Sequence, residues 1–184
     1  MDAFEQLVGD ILRMQGFWVH TSMKVDLSPE DKRKIGRPTS PRWELDVVGY
    51  RGSDNVLQVV ECKSYLDSKG VQAASFMEAE LGQGGRYKLF NEALVREVVF
   101  NRLAAQLVEL KACRENPEVK LALACGKFST NTDRNTVRDL FDTQGWTLWD
   151  EVWLKDNLRA MAKSRYQNQI SAVVAKLLLR GAIE

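Results

Sequence analysis

Two stretches decide how this chain folds: Trp43-Glu44-Leu45-Asp46-Val47-Val48-Gly49-Tyr50, and Val59-Val60-Glu61-Cys62-Lys63 at the end of a run that begins at Val56. Each stretch places charged residues inside a run whose apolar content is typical of a buried β-strand. A buried carboxylate or ammonium group is costly unless it is paired or bound to a metal. The two stretches therefore predict a sheet and a functional site within that sheet.

The alternation of side chains along a strand predicts which residues of the first stretch share a face. Glu44, Asp46 and Val48 should point to one side of the sheet. Leu45 and Val47 should point to the other side. The first strand thus carries its two carboxylates on a single face.

The second stretch should carry Glu61 and Lys63 on one face and Cys62 on the opposite face. Residues 51–55 lie between the two strands, are rich in turn-forming residues and have the right length for a hairpin loop. Folding of that hairpin brings Asp46 beside Glu61 and Lys63. Two carboxylates and a lysine on a shared face offer hard oxygen ligands for Mg²⁺ and a cation next to them.

The pattern of Asp46 followed by Glu61-Cys62-Lys63 resembles the PD-(D/E)XK nuclease superfamily, with Leu45 in place of the family's proline. Residues 4–19 look like the first helix and first strand of Mrr-type restriction endonucleases and archaeal Holliday-junction resolvases. The order of the later elements is also similar, so the resemblance covers most of the chain. It implies an α/β restriction-endonuclease-like core with a central mixed β-sheet flanked by helices, in the order αβββαβ, and a long C-terminal helix.

The resemblance implies a metal-dependent DNA endonuclease in which Asp46, Glu61 and the backbone carbonyl of Cys62 hold Mg²⁺ or Mn²⁺. Lys63 would orient or deprotonate the attacking water, or offset charge on the phosphate; an ordinary ion pair with Glu61 is the alternative. Glu5 matches a glutamate of the first helix that joins the active site in these families. A favourable interaction with the helix dipole explains Glu5 equally well.

A second interpretation is a non-catalytic DNA-binding or assembly subunit that keeps the nuclease fold, because a fold does not guarantee an activity. The intact set of Asp46, Glu61 and Lys63 favours the enzyme. Within the nuclease class, a restriction or defence enzyme and a repair or recombination enzyme use the same site, so the sequence leaves both open. A homodimer or a larger nuclease complex is the expected assembly, with the C-terminal helical extension at about 151–180 as a docking surface.

The composition predicts one domain over residues 1–184, with 45% hydrophobic and 28% charged residues. A formal net charge of +1 means that DNA binding must depend on an uneven distribution of charge. The polar segment 26–42 is predicted to be a long basic loop, which either binds phosphates or is simply solvated. Arg86 and Lys88 form a weaker second candidate pair. The basic residues of the loop are Lys32, Arg33, Lys34, Arg37 and Arg42.

Apolar periodicity predicts the remaining elements. Helices are expected over residues 2–15, 67–81, 92–114, 133–143 and 151–179, and strands over residues 17–25, 119–125 and 146–149. The last two strands should be parallel neighbours because a helix separates them. Three widely spaced cysteines, no long apolar run and no signal-peptide pattern predict a cytoplasmic protein without a membrane span.

Overall fold

The computed structural model describes residues 2–39, 42–77, 86–165 and 167–179. Its strands form one five-stranded sheet in the order β1-β2-β3-β4-β5. The first three strands are antiparallel, and β3, β4 and β5 run parallel. The predicted mixed sheet and the parallel pairing of the last two strands are therefore confirmed. The strands are β1 (Trp18–Val25), β2 (Trp43–Arg51), β3 (Val56–Lys63), β4 (Glu118–Cys125) and β5 (Thr147–Trp149).

Helices cover both faces of the sheet, as a sheet with apolar residues on both sides requires. One apolar cluster packs α5 and α6 against one face, and a second cluster packs α1, α7 and α8 against the other. The predicted α/β class is therefore confirmed. The described helices are α1 (Ala3–Met14), α2 (Pro29–Lys34), α3 (Ala74–Met77), α4 (Lys88–Asn91), α5 (Ala93–Glu109), α6 (Asn131–Gln144), α7 (Glu151–Lys163) and α8 (Ile170–Leu179).

Helix α1 begins at a capping box formed by Asp2 and Glu5. The Asp2 carboxylate accepts hydrogen bonds from the backbone N–H groups of Phe4 and Glu5, both at 2.8 Å. These bonds satisfy donors that the first turn of a helix otherwise leaves unpaired. The helix then buries Val8, Ile11 and other apolar residues of one face in the second cluster. This packing fixes the position of Glu5 relative to the sheet.

The predicted alternation of faces fails at one point of β2. Leu45 lies in the same apolar cluster as Val48, whereas Val47 lies in the opposite cluster. The pairing with β1 is interrupted at this point: Thr21 pairs with Val47 and Met23 with Leu45, but Ser22, which has a left-handed φ of 52°, is not paired with Asp46. A left-handed residue within a ladder interrupts the pairing and rotates the chain, as in a bulge. The prediction that Leu45 and Val47 share a face is therefore wrong.

The prediction of a continuous loop over residues 26–42 is also wrong, because this segment contains α2. Ser28 caps this helix with a hydrogen bond from the N–H of Asp31, and Pro29 occupies its first turn. Proline at this position has the φ angle of a helix and lacks an N–H that would be unpaired. Three of the five predicted phosphate-binding residues, Lys32, Arg33 and Lys34, therefore lie on a helix.

Three predicted helices differ in length from the observed ones. The predicted C-terminal helix is two helices, because α7 ends at Lys163 and α8 begins at Ile170 and packs back against it. The predicted helix over 92–114 ends at Glu109. Of the predicted helix over 67–81, residues 74–77 are helical, while the chain before them forms turns. Residues 78–81 of that prediction lie outside the described part of the chain.

Helix α8 has one face against the protein and one face toward solvent. Ala172 and Ala175 are buried, and Ser171 donates a 2.7 Å hydrogen bond to the buried carboxylate of Asp10 on α1. On the outer face, Ile170 and Leu177 are 81% and 79% exposed. Contiguous exposed apolar side chains of this kind are typical of interaction surfaces. Within the described residues, no helix combines the length and the apolar character needed to cross a membrane.

Candidate active site

The site lies where the β2–β3 hairpin opens. The last backbone pair at this end of the hairpin joins Val47 to Val60, so the next residue on β2, Asp46, has no ladder partner on β3. Its side chain replaces the missing ladder bond, since Asp46 Oδ2 accepts a 2.7 Å hydrogen bond from the backbone N–H of Cys62. This charge-assisted bond fixes the carboxylate against the neighbouring strand. The strands therefore position Asp46 without help from a loop.

The ammonium group of Lys63 stands among three oxygen atoms. Its Nζ lies 2.6 Å from Glu61 Oε1, 3.0 Å from the carbonyl oxygen of Cys62 and 3.7 Å from Asp46 Oδ2. The side chains of Lys63, Glu61 and Asp46 are 22%, 19% and 25% exposed. The structure thus brings together, at the surface end of two buried strands, four groups that the sequence predicted to meet.

The partial burial of this cluster shifts the proton equilibria of its members. Burial raises the pKa of Glu61, Lys63 lowers it, and repulsion by Asp46 raises it again, so that the net shift is upward. Burial lowers the pKa of Lys63, but the charge and hydrogen bond of Glu61 and the charge of Asp46 together raise it above its usual value. Lys63 is therefore held as an ammonium ion at neutral pH.

Glu5 approaches the cluster from the first turn of α1. Its carboxylate accepts a 3.3 Å hydrogen bond from the backbone N–H of Asp2. Burial raises the pKa of Glu5, the hydrogen bond to Asp2 lowers it, and repulsion by Asp2 and Asp46 raises it. The repulsion between Glu5 and Asp46 means that α1 brings a third carboxylate toward the site. A capping role for Glu5 is thus observed, and its catalytic role stays a prediction.

Cys62 contributes its backbone to the site and its side chain to the core. The side chain is buried beneath the sheet on the side of α1. Burial, followed by repulsion from Asp46 and Glu5, raises the pKa of the Cys62 thiol far above its usual value. A thiol in this environment is a poor nucleophile and a poor metal ligand. The backbone of Cys62 faces the charged cluster instead: its N–H donates to Asp46 and its carbonyl oxygen accepts from Lys63.

An open cavity of about 340 Å³ lies against the cluster. Its wall combines carboxylates from β2 and β3 with two cations, Arg86 just before α4 and Lys88 at the start of α4. Glu44 lines this cavity beside Asp46, and an aromatic ring from β2 and a leucine from α4 complete it. The lining residues are Trp43, Glu44, Asp46, Glu61, Arg86, Lys88 and Leu89.

The donor set is compatible with a magnesium or manganese ion. Among the described residues, no group of three or more His, Cys, Asp or Glu side chains converges on one point. Two carboxylates and one carbonyl oxygen do converge, and hard oxygen ligands supplemented by water are what Mg²⁺ prefers. The hydrogen bonds of the two carboxylates use Asp46 Oδ2 and Glu61 Oε1, which leaves one oxygen of each for a cation.

The predicted phosphate-binding residues of the 26–42 segment do not line this cavity. Arg37 donates two hydrogen bonds, of 2.7 and 2.8 Å, to the carboxylate of Glu92. Arg42 lies 2.8 Å from a carboxylate oxygen of Asp26, and Lys34 lies 3.5 Å from one of Glu97. Internal ion pairs thus occupy three of the five cations. A nucleic-acid role for Lys32, Arg33, Lys34, Arg37 and Arg42 stays a prediction.

Three further positions are informative. Gln106 does not reach the site, because its amide bonds the carbonyl of Lys24 and the N–H of Asp26 and so ties α5 to the end of β1. Trp43 and Leu89 line the cavity, although nothing in the sequence predicted either of them as a site residue. Position 43 opens a strand and position 89 lies in an apolar run, so neither residue carries a signal distinct from that of core packing.

No protein-family model matches this chain, and neither the curated proteins nor the solved structures contain a match to it.

Proposed function

We propose that this protein is a Mg²⁺- or Mn²⁺-dependent DNA endonuclease that hydrolyses phosphodiester bonds within a restriction-endonuclease-like fold. The proposal depends above all on the convergence of Asp46, Glu61 and the carbonyl of Cys62 on one cation, the ammonium of Lys63, beside an open cavity. The resemblance to the PD-(D/E)XK superfamily supports the same activity. A cytoplasmic location stays a prediction.

In the proposed reaction, Asp46, Glu61 and the carbonyl of Cys62 hold the metal. A metal bound there would polarise the scissile phosphate and lower the pKa of a bound water. Asp46 keeps its orientation throughout, because its Oδ2 is bonded to the backbone of β3. Glu5 is a further carboxylate on the α1 side and is a candidate to orient water.

The raised pKa of Lys63 separates the two roles that the sequence left open for it. Because its pKa is raised, the side chain of Lys63 is already protonated at neutral pH in the metal-free protein, so it has no lone pair with which to take a proton from water. It can donate hydrogen bonds to a water molecule or to a phosphate oxygen that gains charge in the transition state. We therefore favour orientation and charge stabilisation over proton abstraction for Lys63.

Cleavage of supercoiled plasmid with titrated Mg²⁺ or Mn²⁺ tests the proposal. We expect metal-dependent nicking that falls at least about 100-fold in Asp46→Asn and Glu61→Gln, since each removes a metal-ligand charge. Glu118→Gln is a matched control, because Glu118 is an exposed β4 carboxylate paired with Lys120 away from the cavity. The proposal is refuted if neither plasmid, single strands nor a four-way junction is cut, or if Asp46→Asn cuts as fast as the wild type.

The non-catalytic alternative has one observation in its favour. The ammonium of Lys63 already bonds Glu61 and Cys62, so the cluster is neutralised in part without a metal. A DNA-binding or assembly subunit could keep such a cluster for stability alone. Isothermal calorimetry distinguishes the two functions: no heat of Mg²⁺ or Mn²⁺ binding in the wild type favours the subunit.

Helix α8 supports the proposal that the protein forms a homodimer or joins a larger nuclease complex. Its outer face carries Ile170, Leu177 and Leu178, each more than two-thirds exposed. A two-fold dimer would present two sites to the two strands of a duplex. Sedimentation of wild type and Leu177→Lys tests the homodimer, which predicts a concentration-dependent dimer that the variant loses. If the wild type stays monomeric at all concentrations, the homodimer is excluded, and a different partner protein is the remaining proposal for this face.

A further inference from the structure

Arg86 and Lys88 are the cations that share the cavity with the carboxylates Asp46 and Glu61. No carboxylate of the described residues lies within ion-pair distance of Arg86 or Lys88. Arg86 and Lys88 therefore differ from the basic residues of the segment 26–42, where three of the five cations form ion pairs with carboxylates of the protein itself. The charge of Arg86 and Lys88 is therefore directed at the space in front of the carboxylates.

The backbone that carries these two cations is firmly held. Between them, Tyr87 is 2% exposed, and its ring stacks on Phe76 with the ring centroids 4.3 Å apart. After them, Leu89 is also 2% exposed, and its carbonyl accepts a 2.8 Å hydrogen bond from the guanidinium of Arg96. The buried side chains of Tyr87 and Leu89 thus hold the backbone on either side of Lys88, and a well-packed support is what precise binding requires.

Arg86 is also linked to the strand that carries the site. Its Nη1 lies 3.4 Å from the hydroxyl oxygen of Tyr65, two residues beyond Lys63 at the end of β3. Tyr65 has a left-handed φ of 46°, which turns the chain sharply at this point. The guanidinium and the Glu61–Lys63 pair therefore project from neighbouring backbone segments into one space.

The charges of the cavity indicate the class of ligand. The three carboxylates of the cavity wall, Glu44, Asp46 and Glu61, would by themselves repel a phosphodiester. The same carboxylates with a bound metal ion, together with Arg86 and Lys88, would attract one. We infer that Arg86 and Lys88 are positioning residues that bind the phosphates flanking the scissile bond of a nucleic-acid strand. This inference rests on the proposed function. Arginine suits bidentate contact with a phosphate, and lysine acts as a point charge.

Binding without cleavage tests the inference. We would measure fluorescence anisotropy of a labelled DNA duplex with Asp46→Asn as the parent, over a range of salt concentrations. Arg86→Gln and Lys88→Gln together should weaken binding at every salt concentration. They should also reduce the slope of log K against log [salt] by about 1.8, because each phosphate neutralised contributes about 0.9. Thermal unfolding of each variant verifies that the fold is retained.

Lys163→Gln with Arg165→Gln is the matched control. This pair has the same spacing and charge and is exposed. It lies at the end of α7, which packs on the opposite face of the sheet. The control should keep the slope of the parent. An unchanged slope in the Arg86 and Lys88 variant, or an equal loss in the control, overturns the inference.

The same assay separates this inference from the proposed function. If the wild type cuts no substrate but the slope still falls in the Arg86 and Lys88 variant, the nuclease proposal fails and the phosphate site stands. If the wild type cuts and the slope is unchanged, the nuclease proposal stands and these two cations have no part in substrate binding.

Discussion

Substitution of Lys63 by methionine should destabilise the protein in the absence of metal and make its stability depend on Mg²⁺. Methionine keeps much of the apolar stem and removes the charge that lies 2.6 Å from Glu61 and 3.7 Å from Asp46. At an effective dielectric constant of 20, these contacts correspond to about 6 and about 4 kcal/mol of gross attraction. Lost hydration of the three ions cancels most of this attraction.

Removing one partner of a fully buried ion pair costs about 3–5 kcal/mol. All three side chains here are about one-fifth exposed, so solvent screening reduces the cost, and we expect about 2 kcal/mol. For a protein of this size that corresponds to a fall in Tm of roughly 4–8 °C. Circular dichroism in EDTA measures the fall. Lys163→Met, which removes an exposed lysine on α7, should leave Tm unchanged.

Magnesium should then stabilise Lys63→Met more than the wild type, because the variant leaves two carboxylates without their cation. At a free concentration 100 times Kd, the bound ion adds about 2.7 kcal/mol. Equal Tm values for the variant and the wild type in EDTA would refute the electrostatic account of the cluster. A destabilised variant that gains nothing from Mg²⁺ or Mn²⁺ would refute the metal site while leaving the ion pair intact.

Three further outcomes follow from other parts of the structure. Asp10→Ala should cost about 2 kcal/mol in urea unfolding, because Asp10 is 3% exposed and accepts hydrogen bonds from Gln6, Arg13 and Ser171, all of which the variant loses. Ser171→Ala, which keeps the other bonds of Asp10, should cost about half as much. Because the pKa of Glu61 is raised in the folded state, protonation of Glu61 stabilises the folded protein. This stabilisation is fully present below the unfolded pKa of 4.5 and is lost as pH rises through the folded pKa. In metal-free unfolding from pH 4 to about 8, Glu61→Gln should abolish that loss of stability. If the stabilities of the variant and the wild type change with pH in parallel, the loss does not come from Glu61. Gly70→Ala should destabilise the protein well beyond Gly145→Ala. Both glycines have a positive φ, but of the two only Gly70 would bring a Cβ against backbone, at 2.6 Å. Gly145→Ala therefore measures the cost of the positive φ alone, about 1 kcal/mol.

The charged cluster could be predicted from the sequence because its geometry is local. Turn length brings Asp46 next to β3 once a hairpin forms, and alternation along β3 places Glu61 and Lys63 on one face, so no distant contact is needed. The sequence offered Arg86 and Lys88 as a candidate pair, but it did not predict that they lie beside the carboxylates. Arg86 and Lys88 reach the site through the packing of Tyr87 and the other core side chains, which no periodicity in the sequence encodes.

The errors in the helix boundaries have separate causes. Helix α2 had a readable signal, since Ser28, Pro29 and Asp31 form the typical start of a helix, but the basic composition of the segment obscured it. The break between α7 and α8 has no glycine or proline to mark it. It is stabilised by tertiary contacts, including the ammonium of Lys176, which donates a 3.1 Å hydrogen bond to the carbonyl of Ala162 in the last turn of α7.

The inversion of faces in β2 could not be predicted, because it originates in another strand. Ser22 adopts a left-handed conformation that serine seldom takes, and it is not paired with Asp46. The strand containing Asp46 reads as regular in the sequence. Pairing with β1 makes it irregular, at the residue proposed to bind metal.

The order of the strands has a consequence for how the protein folds. Val60 pairs with Val47 across a short hairpin and also with Ala122, which lies beyond α3, α4 and α5 in the chain. Hairpins close within about 1–10 μs, whereas pairing across a long crossover is slow. We therefore expect Asp46 and Glu61 to meet early, while still hydrated, and to lose water only when β4 docks. Substitutions that relieve their repulsion should then act mainly on the rate of unfolding.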